Sequence, residues 1–192
     1  RDPEMLDLMR KAGFRWLGIG IESASSKIRN EIEKGRFRDE DIVAAVRRVE
    51  SAGLHVGANY IIGLPGDDRG SIQETYDLAC ELNTPMVNIY SCMAYPGSIL
   101  YQTAKTKGLR LPDDPEGPGW IGFSQHNYET LPLPTEHLSA AEVLNLRDQF
   151  FINYHQRPKY ETMMFKTFGI VAVESINKIL SVGKPKRKLL GD

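Results

Sequence analysis

Cysteine is nearly missing from this chain: among 192 residues there are two, Cys80 and Cys92. Two thiols cannot build a disulfide framework, so a staple-held secreted scaffold is excluded and a reducing compartment, with the cytoplasm as the default, is expected. An excess of one charge is missing too, since 24 Lys plus Arg face 25 Asp plus Glu for a net charge of -1. That balance supplies no field for collecting nucleic acid or anionic lipid. No apolar run approaches the roughly 18 to 20 residues that a membrane-spanning helix needs. The histidines, His55, His126, His137 and His155, are scattered, and neither they nor the cysteines have the spacing of a metal site. Both cysteines fall in expected regular structure and read as buried free thiols. What is present is an ordinary globular composition, 41% hydrophobic and 26% charged, long enough to bury a core in one domain or slightly more. The opening residues Arg1, Asp2, Pro3 and Glu4 lead directly into a helical pattern without an initiator Met, as expected of a piece of a longer polypeptide.

Periodicity organises the first half. Met5 to Ala12 reads as a helix stopped at Gly13, and Trp16 to Glu22 as a buried parallel strand with a carboxylate at its tip. Ser25 to Lys34 fits a short helix closed by Gly35, and Asp39 caps a helix running from Glu40 to Ala52. The alternation then repeats. Val56 to Ile62 is a strand, and Ser71 to Leu82 a helix; Met86 to Met93 is a third strand, and Ser98 to Lys107 its helix. Three strand-helix units of this kind imply right-handed crossovers and a parallel sheet. From Leu109 to His137 prolines and glycines accumulate among aromatics, which marks a long loop or lid. Ser139 to Tyr154 is a helix opened by a Ser139-Glu142 capping box; Tyr160 to Phe168 and Val171 to Ser181 are further helices. The basic run from Lys184 to Lys188 reads as a solvated terminus, and Trp120, Phe123, Tyr128, Phe150, Phe151 and Tyr154 as packing between the helices and the sheet.

Ligands of parallel βα folds meet the carboxyl ends of the strands, so Glu22, Ser23, Asn59 and the stretch Met93 to Tyr95 are the first candidates. A carboxylate ending an apolar strand suits a pair of ribose hydroxyls, or else a local role, capping the next helix or pairing with Lys34. Gly18 and Gly20 inside the first strand let a ligand or another backbone come close. Gly63-Leu-Pro-Gly66 lacks the Lys-Ser/Thr of a phosphate-binding loop and reads as a tight turn rather than a phosphate cradle.

Taken in order, Leu8 with Ala12-Gly13, Gly18-Ile-Gly-Ile-Glu-Ser23, Lys34-Gly35, Ala52-Gly53, Ile62-Gly-Leu-Pro-Gly66 and Tyr95-Pro-Gly97 form a recognisable series. Across residues 1 to 108 it resembles the second half of the radical S-adenosylmethionine enzymes, and within them the cobalamin-domain-containing and methylthiotransferase-like branch. The tail from Trp120 to Leu190 is similar, less specifically, to the helical extension of cobalamin-type members. The resemblance implies a partial (β/α) barrel. In such barrels a cysteine motif, Cys-x-x-x-Cys-x-x-Cys, holds a [4Fe-4S] cluster that cleaves S-adenosylmethionine to a 5′-deoxyadenosyl radical. This chain has no such motif, so the resemblance puts the cluster ligands outside it and leaves an isolated fragment inactive. It further implies that Glu22 and Ser23 bind the ribose hydroxyls, Lys34 the methionine carboxylate, Asn59 the ribose again, and Ile61, Gly63 and Met93 the adenine. Ala24 stands where the family commonly has Gly, and Asp67-Asp68 where it often has Glu and Thr.

The expected architecture is therefore α/β: a partial (β/α) barrel fragment with three parallel βα units over residues 1–108, a Pro-rich loop or lid over 109–138, and a helical C-terminal region over 139–192. The expected function is that of a radical S-adenosylmethionine enzyme fragment carrying part of the cofactor pocket, with cobalamin left open as a further cofactor of the whole protein. The substrate, whether a small molecule, a lipid or a sugar, is not identified by the sequence, and no nucleic-acid partner is signalled. Two other readings stand beside this one, a non-catalytic binding or scaffold domain with the same topology, and a barrel enzyme acting on a phosphorylated substrate at Gly63 to Gly66. The edge Trp16 to Glu22 of a cut parallel sheet is expected to self-associate.

Overall fold

The structure is a computed structural model that describes residues 3–31 and 39–192. Its elements run α1 (Pro3–Lys11), β1 (Trp16–Glu22), α2 (Ser26–Glu31), α3 (Asp39–Ser51), β2 (His55–Ile62), α4 (Arg69–Leu82), β3 (Met86–Ser91), α5 (Ile99–Thr106), α6 (Ala140–His155), α7 (Pro158–Phe168) and α8 (Ile170–Ser181). The strands form one parallel sheet in the order β1-β2-β3. This is the expected α/β fold with three βα units and a helical C-terminal region. The predicted helix over Ser25 to Lys34 is described through Glu31, and Lys34 and Gly35 lie outside the described residues.

Some boundaries differ from the sequence expectation for local reasons. Helix α4 starts at Arg69, before Ser71, because Asp68 caps it: the Asp68 carboxylate accepts the Ser71 amide at 2.9 Å while Ser71 Oγ accepts the Asp68 amide at 3.1 Å. Strand β3 ends at Ser91, short of Met93, because the chain turns away after the Cys92 amide makes a last bond to the Ile62 carbonyl at 2.8 Å. The Ser139-Glu142 capping box is present as expected.

Alternation along the strands separates two faces of the sheet. Val56, Ala58, Tyr60 and Ile62 of β2, with Ile21, Val87 and Ile89, point toward the helices and build the main core with Val46, Ile72, Ala79, Leu82, Val143, Phe150 and Tyr154. The opposite face carries Gly18, Asn59, Asn88, Tyr90 and Met86, and it is largely open: Gly18, Met86 and Tyr90 are exposed. A smaller apolar cluster of Ile28, Leu64, Cys92, Ala94, Tyr101 and Leu133, joined by Ile61, closes the carboxyl end.

Two expectations are corrected. Of the aromatics read as packing, Phe123, Phe150 and Tyr154 are buried, but Tyr128 is exposed and Trp120 is 74% exposed on the short 3-10 helix Gly119–Phe123. The basic tail is not wholly a solvated terminus, because Arg187 is 0% exposed. Its guanidinium makes a two-pronged pair with Asp148 at 2.9 and 2.8 Å and donates to the carbonyls of Gln125 and Asn127 at 3.1 and 2.8 Å. A buried cation persists only when its donors are satisfied in this way. No helix among the described residues is long and apolar enough to cross a membrane.

Candidate functional site

Of the residues singled out in the sequence, Glu22 and Asn59 lie toward the carboxyl ends of the neighbouring strands β1 and β2. In the register of the sheet Gly20 lies beside Asn59, and Asn59 beside Asn88. Between Gly20 and Glu22 the pairing slips by a bulge, and Glu22 has φ of 67°. A non-glycine residue in the left-handed region is disfavoured by contact between its Cβ and the backbone, and such strain gathers where a site holds a side chain in place. Glu22 ends the strand at this bulge and is 9% exposed.

The turn that follows is pinned from two sides. Thr75 of α4 accepts the Ala24 amide at 3.0 Å and contacts Ser23 Oγ at 3.3 Å, while the buried Arg29 donates Nη1 to the carbonyls of Ser23 at 2.7 Å and Ala24 at 2.5 Å. Ser23 Oγ also accepts the Ser25 amide at 3.2 Å. Ser23 is fully buried, so its hydroxyl holds the turn that aims Glu22. Thr75 and Arg29 escaped the sequence reading because nothing local marks a helix residue as the support of a distant strand tip.

Asn59 stands on the open face with its amide directed to the carbonyls of Ile19 at 3.3 Å and Gly57 at 3.4 Å. Asn88 Nδ2 donates to Asn59 Oδ1 at 2.8 Å, so the two amides form one polar row across β2 and β3. Asn88 was also missed, although asparagine inside a strand between Val87 and Ile89 is unfavourable enough to have served as a signal. Beside this row the floor is bare. A Cβ added at Gly18 would meet only Asn59 Nδ2, at 3.8 Å, so packing does not demand the glycine. Gly63 behaves differently. With φ of 77° and an added Cβ falling 2.4 Å from Val143 Cγ1, it serves the turn after β2 and the approach of α6. Ile61 lies at the carboxyl end against the smaller cluster, and Met93 is buried just beyond β3. Lys34 lies outside the described residues.

The turn from Gly63 to Gly66 already holds an anion of its own. Asp67 is buried and its carboxylate accepts the Leu64 amide at 3.0 Å and the Ser71 hydroxyl at 2.5 Å. Burial pushes its carboxyl upward and those two bonds pull it back. The carboxylate occupies the amide a phosphate would use, which counts against a phosphorylated substrate there. Cys92 is pushed up to about 12 by burial, so it is a thiol at neutral pH.

These features fit the nucleoside end of S-adenosylmethionine. Glu22 offers acceptors to vicinal hydroxyls, Asn59 and Asn88 offer amides, and Ile61 gives an apolar wall next to an open floor. An iron–sulfur cluster does not fit this chain. Cys80 and Cys92 are its only cysteines, and one is on α4 while the other follows β3. Among the described residues no three metal-ligating side chains come together.

Comparison with known proteins bears on the family and the fold. Residues 1–79 match the profile described as the Radical SAM superfamily. An uncharacterized methyltransferase of Pyrococcus horikoshii is 25% identical over 91% of this chain and 36% of its own length. The anaerobic magnesium-protoporphyrin IX monomethyl ester cyclase of Rubrivivax gelatinosus is 26% identical over 81% of this chain and 26% of its own length. Thus the chain spans roughly a third or less of these relatives. Among solved structures, coproporphyrinogen III oxidase of Escherichia coli, whose structural report calls it a radical SAM enzyme, superimposes with a TM-score of 0.55 over 81% of this chain and 30% of that one, at 17% identity.

Proposed function

Because residues 1–79 belong to the radical S-adenosylmethionine superfamily, we propose that the open face of the sheet forms part of an S-adenosylmethionine pocket in an enzyme of radical or methyl-transfer chemistry. The observation that carries this is the positive φ of Glu22 at the bulge that ends β1, just past Gly20, which pairs with Asn59 of the Asn59-Asn88 amide row. In this reading Glu22 accepts the ribose hydroxyls, Asn59 and Asn88 flank them, and Ser23 fixes the turn. Lys34 pairs with the methionine carboxylate, and Ile61, Met93 and the backbone of Gly63 bound the adenine. S-adenosylmethionine, bound with a [4Fe-4S] cluster whose ligands lie outside this chain, supplies reductive cleavage of a carbon–sulfur bond. The protein's contribution is orientation and exclusion of water.

Relatives named as methyltransferases favour methyl transfer, and relatives named for porphyrin substrates make a tetrapyrrole one candidate among small molecules, lipids and sugars. Cobalamin rests on the resemblance of residues 120–190 to the extension of cobalamin-type members. A cytoplasmic setting is consistent with two free cysteines. Pairing of the β1 edge with a second copy belongs to the same reading.

Titration of S-adenosylmethionine into the whole protein tests the site. Glu22→Gln and Asn59→Leu are each expected to weaken binding about tenfold, in line with losing a hydrogen bond to a charged or buried group, while the exposed Lys107→Ala leaves it unchanged. Equal affinity in all variants would remove the pocket assignment. A parent sequence without the cluster-binding cysteine motif would favour the scaffold reading instead.

A further inference from the structure

Remote from the sheet's open face, α6, α7 and α8 line a cavity of about 320 Å³ that opens to solvent. Tyr160, Met164, Val173, Ile176 and Leu180 form its apolar side, Gln156, Glu161, Asn177 and Ser181 its polar side, and His155 is part of the lining. His155 is 6% exposed, at the last turn of α6. Its ring is enclosed by Phe151, Tyr154 and Tyr160, with centroids at 4.3, 5.2 and 4.9 Å. Nδ1 lies 2.7 Å from the Phe151 carbonyl. A carbonyl only accepts, so Nδ1 carries the proton and the neutral ring presents a lone pair at Nε2. Burial holds the imidazole below its ordinary range and so keeps it neutral at pH 7.

Nε2 has no hydrogen-bond partner among the described residues, and it is not among the fully enclosed unsatisfied atoms, so it is reached from the cavity. The neighbouring phenol of Tyr160 does not serve it, because that hydroxyl donates to the Pro85 carbonyl at 3.0 Å. A donor that reaches Nε2 from the cavity supplies the bond that no described protein group makes, and Met164, Val173 and Ile176 offer apolar surface in the same lining.

We propose that this cavity binds a small neutral molecule with an apolar body and one O–H or N–H group that donates to His155 Nε2. The apolar body lies against Met164, Val173 and Ile176, and the donor supplies the bond the imidazole lacks. The volume falls at the lower end of the range of small-molecule sites. The site is independent of the S-adenosylmethionine reading, since it shares no residue with it.

Phenol and toluene, alike in shape and differing in the donor, are the probes. Phenol is expected to shift the ¹⁵N resonance of His155 Nε2 and to bind five- to tenfold more tightly than toluene, the gain of roughly one neutral hydrogen bond. His155→Phe keeps the volume and is expected to erase the preference. Ile176→Trp fills the cavity from its half-buried wall and is expected to abolish binding of both, which keeps the test open if His155→Phe does not fold. Equal affinity for the two probes, phenol binding that leaves Nε2 unmoved, or no binding of phenol overturns the proposal.

Discussion

Along its two edges the sheet is finished in different ways. The outer side of β1 pairs with no strand among the described residues, and its open face carries Gly18 and Gly20. The outer side of β3 is dressed with side chains that take the place of a neighbouring strand. Gln125 Oε1 accepts the Ser91 amide and Ser91 Oγ–H, both at 2.9 Å, and Gln125 Nε2 donates to the Ser91 carbonyl at 2.9 Å. Two positions earlier Arg147 Nε donates to the Ile89 carbonyl at 2.9 Å. Both are held by the tail: Arg187 binds the Gln125 carbonyl, and Asp148 accepts from Arg187 and Arg147, each at 2.8 Å. An edge closed by side chains no longer templates another chain, whereas a bare one does. On that contrast the proposed pairing with a second copy is expected at β1 rather than at β3.

The largest way to break the contrast is at its keystone. Arg187→Met removes one of the two cations around the buried Asp148 and is expected to cost about 3–5 kcal/mol, the usual consequence of leaving a buried charge underpaired. Denaturant midpoints measure it, and a cost under about 1 kcal/mol, the level of an exposed pair, would show that the network is not what holds the β3 edge.

Gln125→Leu opens the same edge without disturbing the ion pairs. A loss of about 1–3 kcal/mol follows from leaving the Ser91 groups unsatisfied. It also sharpens the comparison. With one bare edge a chain closes into a two-fold dimer, and with two it can propagate. Sedimentation velocity is expected to show the unaltered chain stopping at a dimer and the variant forming larger species. A unaltered chain that stays monomeric at high concentration would sink the pairing through β1.

The smallest effect is a pH dependence confined to one edge. His126 Nδ1 lies 3.4 Å from Arg147 Nη2. Burial first, then the charges of Arg147 and Arg187, hold this imidazole below its ordinary 6.5, with Asp148 acting in the opposite sense. An opened edge therefore binds the proton more readily than a closed one. As pH falls from about 6.5 the opened form is favoured, and the stabilisation from a neutral His126 is lost through the lowered folded-state value. Protection of the Ser91 amide in hydrogen exchange, corrected for the intrinsic rate, should decline over that window and should not do so in His126→Gln. Protection that is flat with pH contradicts the assignment.

Much of the frame was legible. Trp16–Glu22 was readable to the residue because an apolar run bounded by a glycine turn and a carboxylate has few other uses. In the C-terminal region α6 was recognised from its capping box and spacing, and α7 and α8 from spacing, which are local signals. The placement of Glu22 and Asn59 on neighbouring strands followed from the parallel order. The role of Ser23 did not, since its hydroxyl is engaged by Thr75, 52 positions away. The buried Arg187 was the clearest miss. Within Lys184 to Lys188 nothing distinguishes it from the lysines around it, and its partners Asp148 and Gln125 lie 39 and 62 positions upstream.

By itself the sequence determined the strands, the helices and their alternation, because residue spacing and capping act over a few positions along the backbone. Only the tertiary structure decided which face of the sheet stays bare, which edge is closed, and which cation is buried. Those outcomes depend on desolvating charged and polar groups together, and a buried guanidinium is tolerable only where folding brings enough acceptors to it from distant parts of the chain.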